Sequence, residues 1–232
     1  MNEDLTATYQ HLDQLGVRAL TMRRLKPDTV PVSGEPRWGL SAVIRLHGST
    51  AQELAILASQ LPITNSIRGI VYSAGTLHVT VRSLECYRDE VAPNDEVLHN
   101  YISALDEVGR QIYPFRLQFS GVSLTPGGVV AAGYPDSDAL FRLRHELITA
   151  LHKRCVAGPP EGSKPRQTAH ASLAVYRTSE IDTAKLLVWR KKFYDWRSSA
   201  QSVRCIELVQ YRFVPALDVV TLHKSYLSDP HT

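Results

Sequence analysis

Apolar residues recur at helical spacing over residues 3–20, where Leu5, Tyr9, Leu12, Leu15 and Leu20 share a face. The pattern then breaks in a Pro- and Gly-rich passage, KPDTVPVSGEPRWG, that reads as loop. From Trp38 a strand, WGLSAVIRL, leads into a helix at residues 50–60, opened by Ser49 and Thr50 and ended by Pro62. Two strand-like runs follow, IRGIVYS and TLHVTVRSL, joined by a turn at Ala74 and Gly75. Val97, Tyr101, Leu105, Val108 and Ile112 then predict a helix over residues 93–112.

The second half repeats this order. FRLQFSGVSLT and GGVVAAGY read as strands, residues 136–155 as a helix on Leu140, Leu143, Leu147, Ile148 and Leu151, and TAHASLAVY as a further strand. A helix over 180–197 and two closing strands, CIELVQYRFV and DVVTLHKSYL, complete the chain. The expected architecture is α+β, with two pseudo-symmetric lobes, each an antiparallel-rich sheet backed by helices, and a cleft between them. Residues 1–36 form an N-terminal helix-and-loop extension, an accessory cover or a lead-in to the sheet, and residues 37–232 the bilobal domain with its two pseudo-repeats.

Composition narrows the class. Of 232 residues, 44% are hydrophobic and 21% charged, ordinary for a soluble globular chain. The 26 Lys and Arg against 23 acidic residues leave a formal charge of +3. That suits a local anionic substrate and falls well short of the basic stripe that grips duplex DNA. Cys86, Cys155 and Cys205 are widely spaced, so neither a disulfide framework nor a cysteine zinc site is expected. The acidic amino terminus lacks the basic, apolar start of a secretion signal, and no run has the length of a membrane span. A soluble, cytoplasmic monomer without membrane contact is the expectation.

The chemistry concentrates in the two similar strands LHVTV and AHASL. Each carries a His followed two residues later by a hydroxyl: His78 with Thr80, and His170 with Ser172. Alternation along a strand puts each pair on one face, about 7 Å apart. Imidazole is the side chain that titrates near neutrality, so two of them can supply the base and the acid of one turnover. A phosphodiester between them would be attacked by a deprotonated water on one side while its leaving oxygen is protonated on the other. The two hydroxyls would donate to the non-bridging oxygens. No metal and no cofactor is required. Either motif alone is weak, since half-buried histidines are common; their recurrence on matching strands of a repeated unit is the informative feature.

The pattern His, any residue, Thr or Ser, apolar residue, twice in the chain, resembles the signature of the two-histidine phosphoesterase superfamily, which includes bacterial proteins named RNA 2′,3′-cyclic phosphodiesterase or 2′-5′ RNA ligase. It stands here as His78-Val79-Thr80-Val81 and His170-Ala171-Ser172-Leu173, and the likeness runs over about residues 38–227. The first motif continues into Arg82, where many members carry an apolar residue, and the first 36 residues have no counterpart. The resemblance implies that His78 and His170 are the general acid and base and that Thr80 and Ser172 hold the phosphate. It also implies a nucleotide or short RNA as substrate, by hydrolysis of a 2′,3′-cyclic phosphate or a 2′-5′ linkage. The competing expectations are a nucleotide- or RNA-end-binding module of the same fold without turnover, a ligase running the reverse reaction, and a structural protein with incidental histidines.

Three further residues are candidates for substrate binding. Arg82 shares strand parity with His78 and Thr80 and can fork onto phosphate, and Tyr176 shares parity with His170 and Ser172 and can stack on a base. Tyr134, after GGVVAAG, is a similar candidate. For Arg82 and Tyr176 the plainer alternative is a strand that has run past the site. His11, His47, His99, His145, His152, His223 and His231 show no ligand-like clustering. GPPEGSKP at 158–165 lacks phosphate-loop spacing and reads as a loop beside the second motif, with Lys164 and Arg166 near the substrate entrance. Trp189-Arg190-Lys191-Lys192 with Trp196-Arg197 reads first as a solvated helix face with core anchors and only secondarily as an RNA-contacting surface.

Overall fold

A computed structural model describes residues 2–63, 69–92, 94–154, 156, 162, 164–213 and 216–228. Its five helices are α1 (Asn2–Thr21), α2 (Gly48–Ser59), α3 (Glu96–Gly109), α4 (Ala139–Lys153) and α5 (Thr183–Lys192). The strands are β1 (Ser41–Arg45), β2 (Gly69–Val71), β3 (His78–Ser83), β4 (Phe115–Thr125), β5 (Gly128–Pro135), β6 (Ala171–Tyr176), β7 (Gln201–Val203), β8 (Cys205–Phe213) and β9 (Leu217–Tyr226). Helix α2 begins at Gly48 with His47 at its N-cap and no side-chain cap, ahead of the start that Ser49 and Thr50 suggest, whereas carboxylates cap α3 and α5. The Asp95 carboxylate accepts from the backbone N–H of Val97 and Leu98, and Asp182 accepts from Lys185, so α3 and α5 begin later than apolar spacing alone suggests. α5 also ends early, at Lys192, and the chain re-enters the sheet as β7, a strand the periodicity does not show. Pro93 and Cys155, at the ends of two predicted helices, lie outside the described residues.

The class is α+β. Among the described residues the strands form one nine-stranded sheet in the order β7-β4-β5-β6-β3-β1-β8-β9, with β2 added beside β6. Every pairing is antiparallel. Two half-sheets meet where β3 and β6 share the single ladder pair Val79–Ala171. The halves exchange elements: β2 pairs with β6 of the opposite half, not with β3 as a hairpin reading would have it. β8 and β9, last in the chain, complete the half that holds β1 and β3. Leu54, Leu57, Leu105, Leu140, Leu143 and Leu147, from α2, α3 and α4, pack with Val79, Val81, Ala171 and Leu173 in one continuous core.

The extension is built into this sheet. Gly16 of α1 lies so close to β4 that a Cβ there would sit 2.2 Å from the Leu124 carbonyl carbon. Asp13 accepts from the Leu124 N–H at 3.0 Å and pairs with Arg190 of α5. The loop that follows crosses from one half-sheet to the other. The N–H groups of Lys26 and Asp28 donate to Pro126 and Tyr176, and that of Gly34 to Tyr87. The basic–aromatic run divides as expected of a solvated helix with anchors: Trp189 is buried, and Lys191 and Lys192 are exposed. No described helix is long and apolar enough to cross a membrane, and Cys86 and Cys205 are free thiols.

Candidate active site

The Val79–Ala171 pair decides the geometry of the site. Because the strands are antiparallel, His78 falls opposite Ser172 and Thr80 opposite His170, all four on one face. The histidines are thus diagonal neighbours, for which strand geometry gives a separation of about 7–8 Å, somewhat less between the Cβ atoms. His78, Thr80, His170 and Ser172 line one cleft of about 290 Å³.

The two rings are held differently. His78 Nδ1 lies 2.8 Å from the Thr76 carbonyl, which can only accept, so Nδ1 carries the proton. Its Nε2 therefore presents a lone pair, to which the Tyr211 hydroxyl donates at 2.9 Å. His170 Nδ1 instead meets the Thr168 hydroxyl at 2.8 Å, a partner able to donate or accept. Burial pushes His78 down to about 4, with Arg45 and Arg166 adding to the effect against the Thr76 bond. Burial also pushes His170 down to about 3, helped by Arg166, Arg144 and His78. Both rings are accordingly neutral at pH 7 in the free protein, in a cleft whose remaining charge is cationic and open to an anion.

A tyrosine backs each hydroxyl. Tyr211 of β8 reaches Thr80 and Ser41 as well as His78, and burial raises it to about 12. Tyr72, just after β2, reaches Ser172, and burial raises it strongly. Trp38 packs edge-on against Tyr211 at 5.4 Å and Phe213 at 5.0 Å, from a backbone with φ of 67°, in the left-handed region that bulky residues avoid. Arg37, Trp38 and Arg166 complete the wall. Behind the sheet the buried Arg144 donates to the Thr80 carbonyl at 2.7 Å and to the Arg166 carbonyl at 2.9 Å, tying β3 to the segment that leads into β6. The described residues hold no group of three or more His, Cys, Asp or Glu side chains able to bind a metal.

The three substrate-binding candidates do not reach the cleft. On β3, Thr80 pairs with Val43 and Arg82 with Ala42, so Val81 is an extra residue, a β-bulge. The bulge resets the alternation: Val81 and Arg82 both turn inward, Arg82 donates to the Gly162 carbonyl, and Ser83 takes the cleft position instead. β6 repeats the device. Ser172 pairs with Val130 and Ala174 with Val129, leaving Leu173 extra and turning Tyr176 into the core, where it is fully buried. Tyr134 does lie on the face of Ser172, reached by alternation from Val130, but α1 covers it there. The Tyr9 ring packs on Tyr134 at 5.6 Å, in a separate pocket with Asp13 and Arg190.

Tyr72, Tyr211, Trp38 and Arg37 are cleft residues that the sequence pattern did not single out. One local signal was available: both motifs extend upstream as Thr-x-His, with Thr76 and Thr168, the residues that hold the rings. For the tyrosines no short-range signal exists. Arg166 stands in the cleft wall, while most of the loop before it lies outside the described residues.

No protein-family model matches the sequence, and no curated protein matches it. The fold has clear relatives among solved structures. TT0787 of Thermus thermophilus superposes with a TM-score of 0.61 at 17% identity, over 83% of this chain and 99% of that one. A structure described as a phosphoesterase gives 0.53 at 18% identity, over 82% and 98%. E. coli LigT complexed with 3′-AMP gives 0.56 at 15% identity, over 83% and 99%. This chain has their fold. LigT complexed with NADP+ and with ATP matches in the same way, with TM-scores of 0.52 and 0.54.

Proposed function

We propose that the chain is a two-histidine phosphodiesterase acting on nucleotide or RNA ends, opening a 2′,3′-cyclic phosphate or a 2′-5′ linkage without a metal. The observation that carries this reading is the diagonal crossing of His78–Thr80 and His170–Ser172 on paired strands at one cationic cleft. The nucleotide complexes of LigT, a protein of the same fold, support a nucleotide as ligand.

A phosphorus centre between the rings would have one imidazole nitrogen on each side. One neutral ring takes the proton of the attacking water, and the other, protonated when the phosphate anion enters, gives a proton to the leaving ribose oxygen. The free rings are neutral because burial disfavours charge; an anion between them offsets that penalty and lets one ring charge. Thr80, Ser172 and Arg166 donate to the non-bridging oxygens as charge accumulates.

The test is hydrolysis of 2′,3′-cyclic nucleotides and a 2′-5′ dinucleotide in EDTA by wild type, His78→Ala and His170→Ala. Wild type is expected to turn over, and each variant to lose about 10²–10⁴-fold while keeping its circular dichroism spectrum. Tight nucleotide binding with no turnover would make the chain a binding module. Turnover indifferent to both substitutions would remove the proposed site.

A further inference from the structure

Beside the histidine cleft, and sharing Arg37, His170 and Ser172 with it, lies a second pocket of about 500 Å³. Its walls include Thr8 and Leu12 of α1, the Gly127–Gly128 turn, and Val130. This largely apolar pocket is also lined by two cationic residues, Lys26 from the loop of the extension and Arg37 immediately after it. That loop is fixed in place. The Lys26 N–H donates to the Pro126 carbonyl at 2.8 Å, beside the glycine turn, and the Arg37 guanidinium is held by Asp28 at 2.7 Å. Among the described residues Lys26 has no acidic partner.

A largely apolar pocket large enough for a heterocycle, with cations on its walls and a direct opening to the reacting centre, suits one kind of occupant. We infer that this pocket is a subsite for the nucleotide beyond the one that carries the reacting phosphate, its base against the Gly127–Gly128 turn and the phosphate joining the two nucleotides held by Lys26 and Arg37. The extension would then select a substrate with two phosphates and two bases over a cyclic mononucleotide. The inference rests on the phosphodiesterase reading only in placing the first phosphate between His78 and His170.

Binding to the full chain separates the two. Titration calorimetry with a 3′-phosphorylated mononucleotide and a 3′-phosphorylated dinucleotide is expected to show the dinucleotide bound about tenfold more tightly by wild type. In Lys26→Ala the ratio of the two affinities should fall to about one, and Lys26→Arg should restore it. Arg37→Ala, which touches both pockets, should weaken both ligands. Equal affinities in wild type, or equal losses for both ligands in Lys26→Ala, would overturn the subsite. A dinucleotide preference governed by Lys26, with no turnover of any cyclic or 2′-5′ substrate, would uphold the subsite and overturn the hydrolase. Turnover without that preference would do the reverse.

Discussion

His78 and His170 show how a local pattern acquires chemistry from its surroundings. Their ordinary imidazole value of 6.5 is pushed by burial to about 4 and about 3. A lowered folded-state value means that the unfolded chain binds more protons between about pH 3 and 6.5, so stability is full above 6.5 and is lost as pH falls through that window. The melting temperature is therefore expected to drop between pH 6.5 and about 4, and His78→Gln to flatten part of that slope; a wild-type profile flat over this range would show the rings to be accessible to water. Tyr9 acts on the same site from the extension. Its hydroxyl accepts from the N–H groups of Gly133 and Ala169, the latter adjoining His170. Tyr9→Phe leaves two buried donors unsatisfied and is expected to cost about 1–3 kcal/mol for each, read as a shift in urea midpoint together with reduced turnover.

Among the elements, the strands of the motifs and the helix of the extension decide what the cleft contains. Bulges at Val81 and Leu173 occupy the same position in the two motifs, one residue beyond the hydroxyl. Parity correctly put His78 with Thr80 and His170 with Ser172. It failed at Arg82 and Tyr176 because a bulge depends on the hydrogen bonds of the partner strand, which single-strand alternation does not contain. α1 has an equally specific seat. Its periodicity was legible, yet the backbone contact at Gly16 was not. Gly16→Ala would drive a methyl into the Leu124 carbonyl and is expected to destabilise by about 1–3 kcal/mol, the usual range for overpacking. Wild-type stability in that variant would show that α1 does not rest on β4 as described.

Across the whole molecule, the two half-sheets touch through one ladder pair, reinforced by Arg144. The reacting groups belong one pair to each half, so their separation depends on this seam. Arg144→Met leaves the Thr80 and Arg166 carbonyls without that donor. It is expected to lower the denaturation midpoint and to reduce kcat more than it raises KM, since the rings drift apart while the binding surfaces survive. An unchanged kcat in a destabilised variant would confine Arg144 to a purely structural role.

The chain alone determined what depends on near neighbours: the helical and strand periodicities, and two His-x-hydroxyl strands whose side chains must share a face. Tertiary structure decided which strands pair, so β2 joined the opposite half-sheet and β8 brought Tyr211 onto His78. It also decided where the alternation resets and which face α1 covers, which removed Arg82, Tyr176 and Tyr134 from the cleft and supplied Arg37 and Trp38. The division is physical. Backbone propensity and side-chain spacing act within a few residues, whereas register, burial and the electrostatics of a buried ring depend on groups that only the folded chain brings together.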